Sequence, residues 1–489
     1  MSNLFYKTTT PFILLGISTL VACGGDSGFN GSTTTDTQLK ALIQTEGLTG
    51  SPLEKNNVPA ISSPAAQLGM RLFFSKSLGG DKDSACVSCH HPALGGGDSL
   101  SLPIGVEAED PDLLGSGRAH LASGTNYDGG PTVPRNAPTT FNLAGWDEVL
   151  FHDGRIESLL KTPHQNGAGG ISTPDSAFGQ LDTSAGANLA QAQARFPITS
   201  PEEMKGFHHQ DKNNQQIRDF LAQRLGSFGT PYWLDKFKAV FNSPNGTASQ
   251  LITEQNITFL IGEYERSQVF IDTPWKKYVE GDNTAISDAA KAGALVFFNT
   301  PANGGAGCSS CHAGDFFTDE SFHNLAMPQI GRGKGDGDGS EDFGRFRVTG
   351  QASDKYAFRT PSLLNVEVTG PWSHAGAYTT LEATIRHHLN PQQAIDNYDI
   401  NQIAQSGVQN LAKMQTNTQK AIDSANFEGL NLNLTDTQIS NLVAFLKTLT
   451  DPCVKNRQCL SPWILDSTDT DQDPNGDQLI AKDSNNLDL

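Results

Sequence analysis

The sequence predicts an all-α protein in which one domain is used twice, with long ordered loops between the helices. Three observations carry this reading. Apolar residues recur at helical spacing behind recognisable caps, few segments alternate as strands, and three blocks return in the second half at a near-constant offset (86 to 308, 138 to 361, 152 to 374). At 489 residues the chain has room for about two or three domains and a large core. With 49 Gly, 25 Pro and only 18% charged residues it reads as a loop-rich globular chain, not a coiled coil or a disordered one. A net charge of −19 gives no basic footprint for nucleic acid and favours a basic or locally positive protein partner.

Taken in order, Lys7 precedes an apolar stretch from Pro11 to Ala22 that is too short to span a bilayer and reads as a signal segment, residues 1–22. It ends Leu20-Val21-Ala22-Cys23-Gly24, a bacterial lipobox pattern that predicts cleavage before Cys23 and lipidation of that thiol; an ordinary signal peptide cut nearby is the other reading. Either way the chain is exported, to the periplasm or cell surface with the outer membrane favoured, and lipid is the only membrane attachment expected. Residues 23–60, rich in Gly, Ser, Thr and Asn, read as a tether.

The first domain is expected over 61–282. Ser63 caps a helix with Pro64 at its first position, and Leu68, Met70, Leu72 and Phe73 give it an apolar face. Then comes Cys86-Val87-Ser88-Cys89-His90, and its copy Cys308-Ser309-Ser310-Cys311-His312 lies in the second domain, 283–465, whose first helix is capped by Ser287. Cys-x-x-Cys-His is the attachment pattern of haem c: two thiols on one turn bond the two vinyl groups and the adjacent His reaches the iron. A zinc site would want further Cys or His at zinc spacing, and a thioredoxin-like pair would sit in a βαβ pattern; neither is present in the sequence. Two haem c groups are therefore expected. Around them the repeat continues, Pro138-Thr139-Thr140-Phe141-Asn142 with Pro361-Ser362-Leu363-Leu364-Asn365, and His152-Asp153-Gly154 with His374-Ala375-Gly376.

The last helix starts near Leu434 with Thr435 and Gln438 as a capping box. Cys453 and Cys459, exported and close in sequence, are expected to form a local disulfide. Residues 466–489 read as a solvated acidic tail; Asp471, Asp473, Asn475 and Gly476 resemble the start of a calcium loop, but Lys482 stands where its closing Glu belongs. The Gly/Asp run 335–342 reads as a mobile loop.

The run Leu68-Gly69 to His90, the run Arg135 to Thr139, the block Phe151-His152-Asp153-Gly154-Arg155 and the second attachment half resemble the bacterial di-haem cytochrome c peroxidase and MauG superfamily, over roughly residues 60–450. The resemblance implies one haem open to peroxide and one that stores and relays electrons. It makes Glu203, in Pro201-Glu202-Glu203-Met204, the distal acid/base, since heterolysis of O–O moves a proton between the two oxygens. It implies a Gln soon after the Asp-Gly-Arg block, where this chain has Thr162, with His164 and Gln165 nearby, inside an insertion at about 163–200. A Trp between the haems is replaced by His152, with Trp146 close in sequence. Fourteen positions after His374 stands His388, which implies a second iron held by His312 and His388, with His387 as the fallback. His90 is the ligand of the first iron, and His120 is its expected switch ligand. The adjacent His91 is expected at the haem edge. A Ca²⁺ between the domains would use Asn136 with the carbonyls of Thr369 and Pro371.

The function implied is reduction of hydrogen peroxide with electrons from a small cytochrome or a cupredoxin. MauG-like oxidation of Trp or Tyr on a partner protein is the alternative, and a non-catalytic electron-transfer cytochrome is a third reading. A homodimer is compatible with the resemblance.

Overall fold

The computed structural model describes residues 34–489; the expected signal segment and Cys23 lie outside the described residues. The chain is mostly helical, and among the described residues the strands are five pieces of two or three residues, in a three-stranded antiparallel sheet (Val149–Leu150, Ile156–Ser158, Ile171–Ser172) and a two-stranded one (Phe322–His323 with Phe358–Arg359). No described helix is long and apolar enough to cross a membrane.

Two main apolar cores organise the molecule. In the N-terminal half, helix Pro64–Phe73 is capped by Ser63, whose side chain accepts from Ala66 N at 3.2 Å, and it crosses helix Glu254–Arg266. In the C-terminal half, Ser287 caps helix Asp288–Phe298, which crosses the Thr435-capped helix Asp436–Lys447. Each crossing turns on one glycine. A Cβ at Gly69 would stand 1.9 Å from the Leu260 carbonyl oxygen, and one at Gly293 1.9 Å from that of Asn441. The repeat seen in the sequence thus includes the small residue that lets two helix backbones touch.

The two ends of the chain change sides. Residues 34–46 are no tether but helix Thr34–Glu46, whose Leu39 is fully buried in the C-terminal core and whose Asp36 takes Lys291 at 2.9 Å and the Tyr278 hydroxyl at 2.8 Å. Thr49 and Gly50 continue along that half, donating to Asp315. The acidic C-terminal segment is likewise no solvated tail: Leu479 and Ala481 lie in the N-terminal core, Leu479 N donates to Phe74 O, and Asp469 pairs with Arg71 at 2.7 Å. An acidic stretch can pack in this way because its charges find cations at the rim while its few apolar residues go inward. Cys453 and Cys459 are joined by a disulfide just before this segment.

The run 335–342 is also ordered, against expectation. Glu341 accepts from the Tyr356 hydroxyl at 2.7 Å and from Lys420 at 2.9 Å, and Asp342 is buried against Arg135 of the other half. Its glycines supply the left-handed turns while its carboxylates are tied down.

Candidate functional site

In the N-terminal half, Cys86–Ser88 forms a short 3₁₀ turn that puts both thiols on the wall of a cavity of about 90 Å³. His90 lines the same cavity; its Nδ1–H donates to the Gly96 carbonyl at 3.2 Å, which leaves Nε2 as the nitrogen with a free lone pair. The lining also includes Glu203, Met204 and Gln193. Glu203 is presented by the turn Pro201–Lys205, fixed by Val106 N donating to Glu202 O and by the close approach of Gly105, where a Cβ would stand 2.4 Å from the Glu203 carbonyl. Gln193 ends the helix Leu189–Gln193, capped by Asn188 and locked by Arg195, which pairs with Glu254 at 2.6 Å and with Asp182.

Glu265 and Lys334 complete this cavity's chemistry. Glu265 is buried with Oε2 unpartnered, and burial pushes its pKa up to about 8. Lys334 arrives from the C-terminal half; burial, then Arg135 and Arg155, brings its pKa down to about 8. His152 also lines the cavity. Its Nε2–H donates to Asn136 O at 3.0 Å, and burial followed by Arg135 and Arg359 holds it neutral, with a pKa of about 3.

In the C-terminal half Cys308–Ser310 forms the matching turn, and His312 N closes it on Cys308 O at 3.0 Å. His312 Nδ1–H donates to Phe317 O at 3.1 Å, again freeing Nε2. Burial first and the nearby His388 second bring its pKa down to about 4. His388 projects from helix Leu381–Leu389 with Nδ1–H donating to Thr384 O at 2.8 Å, so its Nε2 is free as well. His387 is different: both its nitrogens are engaged, Nε2 with Leu325 O at 3.0 Å and Nδ1 with the Tyr378 hydroxyl at 2.8 Å. The residues present fit two covalently attached haems, with paired thiols, three imidazoles whose second nitrogen is tied to a carbonyl, and a cavity beside the first pair. Cys311, Asp319 and His323 also cluster, but Cys311 is an attachment thiol and His323 is held by Asp319 at 2.9 Å and Glu428 at 2.7 Å.

Comparison with known proteins points the same way. The family model for di-haem cytochrome c peroxidase matches residues 63–284. MauG of Methylorubrum extorquens, a methylamine utilization protein, is 28% identical over 325 residues, covering 66% of this chain and 67% of that protein. Cytochrome c551 peroxidase of Nitrosomonas europaea is 25% identical over 385 residues, 79% of each chain. Among solved structures, a MauG-like protein associated with microbial copper homeostasis aligns over 84% of this chain and 97% of its own, with a TM-score of 0.55 at 22% identity, a likeness of fold. Residues 63–284 thus match the di-haem cytochrome c peroxidase family, and over about two thirds or more of its length the chain is similar to MauG and to cytochrome c551 peroxidase.

Measured against that family, three expected positions move. Thr162 is exposed and does not line the cavity, nor do the exposed His164, bonded to Asn56, and Gln165. Gln193 stands there instead, supplied by the segment read as an insertion. The sequence carried its signal in the Asn188 cap and the short Leu-Ala-Gln-Ala-Gln helix. His120 is buried elsewhere, its ring stacked on Tyr127 and its Nε2 3.7 Å from Glu107, so the structure does not bring it to His90. His91 is buried too, but its Nδ1 accepts from Ala93 N and it faces Phe74 edge-on. Asn136 donates its amide protons to Leu100 and Ser101 carbonyls, at 2.8 and 3.1 Å. Thr369 packs beside Gly95, so it too lies where the halves meet. Trp146 lies at that junction as well, under the buried Arg359 guanidinium at 3.6 Å and edge-on to Phe316.

Proposed function

We propose that this chain is a di-haem c-type peroxidase that reduces hydrogen peroxide in the N-terminal cavity with electrons relayed through the C-terminal haem. The observation that carries the reading is the asymmetry of the two attachment sites. His312 is matched by a second imidazole, His388, whereas the His90 cavity holds a carboxylate and an amide, Glu203 and Gln193, which bond oxygen and move protons.

Haem c, bound at each site through its thiols, supplies the redox chemistry. The protein's share is proton handling and positioning. Splitting peroxide into two waters takes two electrons and two protons, and Glu203 is placed to carry a proton from the near oxygen to the leaving one while Gln193 orients the bound molecule. Lys334 adds a donor from the facing half. His152, tied to Asn136, lines the N-terminal cavity, and Trp146 packs against Phe316 and Arg359 of the C-terminal half. We also assign export to the periplasm with a lipid anchor at Cys23, an electron donor of the small cytochrome or cupredoxin class, and a Ca²⁺ near Asn136, Thr369 and Pro371.

The second reading, peroxide-dependent oxidation of Trp or Tyr on a partner protein, is favoured by the similarity to MauG. One experiment separates these readings from a plain electron carrier. Optical and EPR spectra of the oxidised and half-reduced protein, before and after stoichiometric peroxide, are expected to show one peroxide-reactive high-spin site. Two low-spin sites inert in every redox state would overturn both enzyme readings. Turnover with a small cytochrome, set against modification of a co-purified protein, then chooses between them.

A further inference from the structure

Next to the second imidazole pair, the structure holds a run of aromatic rings that the peroxidase reading does not use. His388 is followed by His387, their ring centroids 6.5 Å apart and edge-on. Tyr378 is 5.5 Å beyond His387, and Tyr398 lies 5.6 Å from Tyr378 in a T-shaped arrangement. Both tyrosines line an open cavity of about 350 Å³ with Arg386, Leu389, Asn390 and Leu434. The rings thus connect the proposed iron ligand with the surface.

The hydrogen bonds set the chemistry of this run. The Leu325 carbonyl can only accept, so His387 carries its proton on Nε2 and its Nδ1 is a free base. The Tyr378 hydroxyl donates to that nitrogen at 2.8 Å, inside the reach of proton transfer. Tyr398 has no such base; its hydroxyl donates to the Ala377 carbonyl, which cannot take a proton. A phenol loses an electron readily only when its proton has somewhere to go, so the two tyrosines are not equivalent.

We propose that Tyr378, hydrogen-bonded to His387, is a redox-active tyrosine that passes single electrons from a reduced small cytochrome or cupredoxin docked over this cavity to the C-terminal haem site. This rests on the peroxidase reading, with hydrogen peroxide as the ultimate oxidant. In the forward step Tyr378 gives one electron to the oxidised C-terminal site while its phenolic proton moves to His387 Nδ1. In the return step the donor gives one electron to the tyrosyl radical and the proton comes back from His387 along the same bond, leaving both side chains as they began. Tyr398 forms the cavity wall against which the donor and the Tyr378 ring meet. A one-electron donor thus need not touch the haem edge.

The test uses the full di-haem protein, with one equivalent of hydrogen peroxide, rapid freezing and EPR, alongside a measurement of peroxide consumed. The expected result is a tyrosyl signal that narrows when the protein is grown with ring-deuterated tyrosine, is lost in Tyr378→Phe and remains in Tyr398→Phe. Peroxide consumption without a signal that narrows overturns this inference and leaves the peroxidase reading intact; no consumption overturns both. Persistence of the signal in Tyr378→Phe, or its loss in Tyr398→Phe alone, overturns the assignment of Tyr378. The deuteration arm needs no variant, so misfolding of Tyr378→Phe would not shield the inference.

Discussion

Arg135 of the N-terminal half and Asp342 of the C-terminal half form a buried bidentate pair, with Nε–Oδ2 at 2.6 Å and Nη2–Oδ1 at 2.8 Å, while the remaining arm of the same guanidinium holds Asp153 at 2.6 Å. The pair crosses the junction beside the cavity that Arg135 itself lines. Asp342→Asn leaves Arg135 paired with Asp153 but removes two charge-assisted hydrogen bonds, so it is expected to cost about 1.5–3 kcal/mol in denaturant unfolding, short of the cost of an uncompensated buried charge.

The same pair predicts an acid limit. Burial alone would raise the pKa values of Asp153 and Asp342, but Arg135 overrides it and holds both carboxyls well below their usual range. A depressed folded-state pKa gives stability that is present above the unfolded carboxyl value, about 3.9, and is lost as pH falls toward the folded values. Thermal midpoints should accordingly drop on acidification below about pH 4, and less steeply in Asp342→Asn.

Glu203→Gln should lower the second-order rate of peroxide reaction by roughly 10²- to 10⁴-fold with little change in the ferric optical spectrum. Gln193→Ala should slow the same step, and Thr162→Ala should leave it unchanged, since Thr162 is exposed. Stopped-flow mixing with peroxide reads all three. An unchanged rate in Glu203→Gln removes it from its role.

His388→Met should raise the midpoint potential of the C-terminal site, because a thioether favours the ferrous state, by an amount inside the ~0.8 V that axial ligands command. His387→Gln should keep the low-spin signal, because His387 spends both nitrogens on Tyr378 and Leu325. Redox titration followed optically and by EPR checks both.

Leu39→Ala should destabilise the protein by about 2–5 kcal/mol, the cost of emptying a core site, although residue 39 lies in a stretch with the composition of a tether. A change within error in chemical denaturation would return that stretch to the status of a tether.

The sequence made the attachment chemistry plain because it is local: two thiols and a His on one turn, twice, with the caps at Ser63, Ser287 and Thr435 marking the helices around them. That His388 lies near His312 was legible because a helix keeps register with the block before it. Gln193 was not, because counting forward from Arg155 assumed a loop length that the folded segment 163–200 does not have. Lys334 had no local signal at all; it reaches the cavity from a Gly/Asp-rich run whose order comes from Arg135, Tyr356 and Lys420, all distant in sequence. The same holds for Leu39 and Leu479, members of short apolar groups in otherwise polar stretches whose partners lie in the opposite half.

Those two residues carry a consequence for how the molecule comes apart. Helix Thr34–Glu46 straps the C-terminal half and the last residues strap the N-terminal half, so the halves are cross-buckled rather than strung in series. Severing the chain near residue 283 would give each fragment a strap cut for the other and leave its own core short of one. Two separately expressed pieces are expected to recover native haem environments only on mixing, and the intact chain to melt in one transition where a tandem pair of independent domains would melt in two.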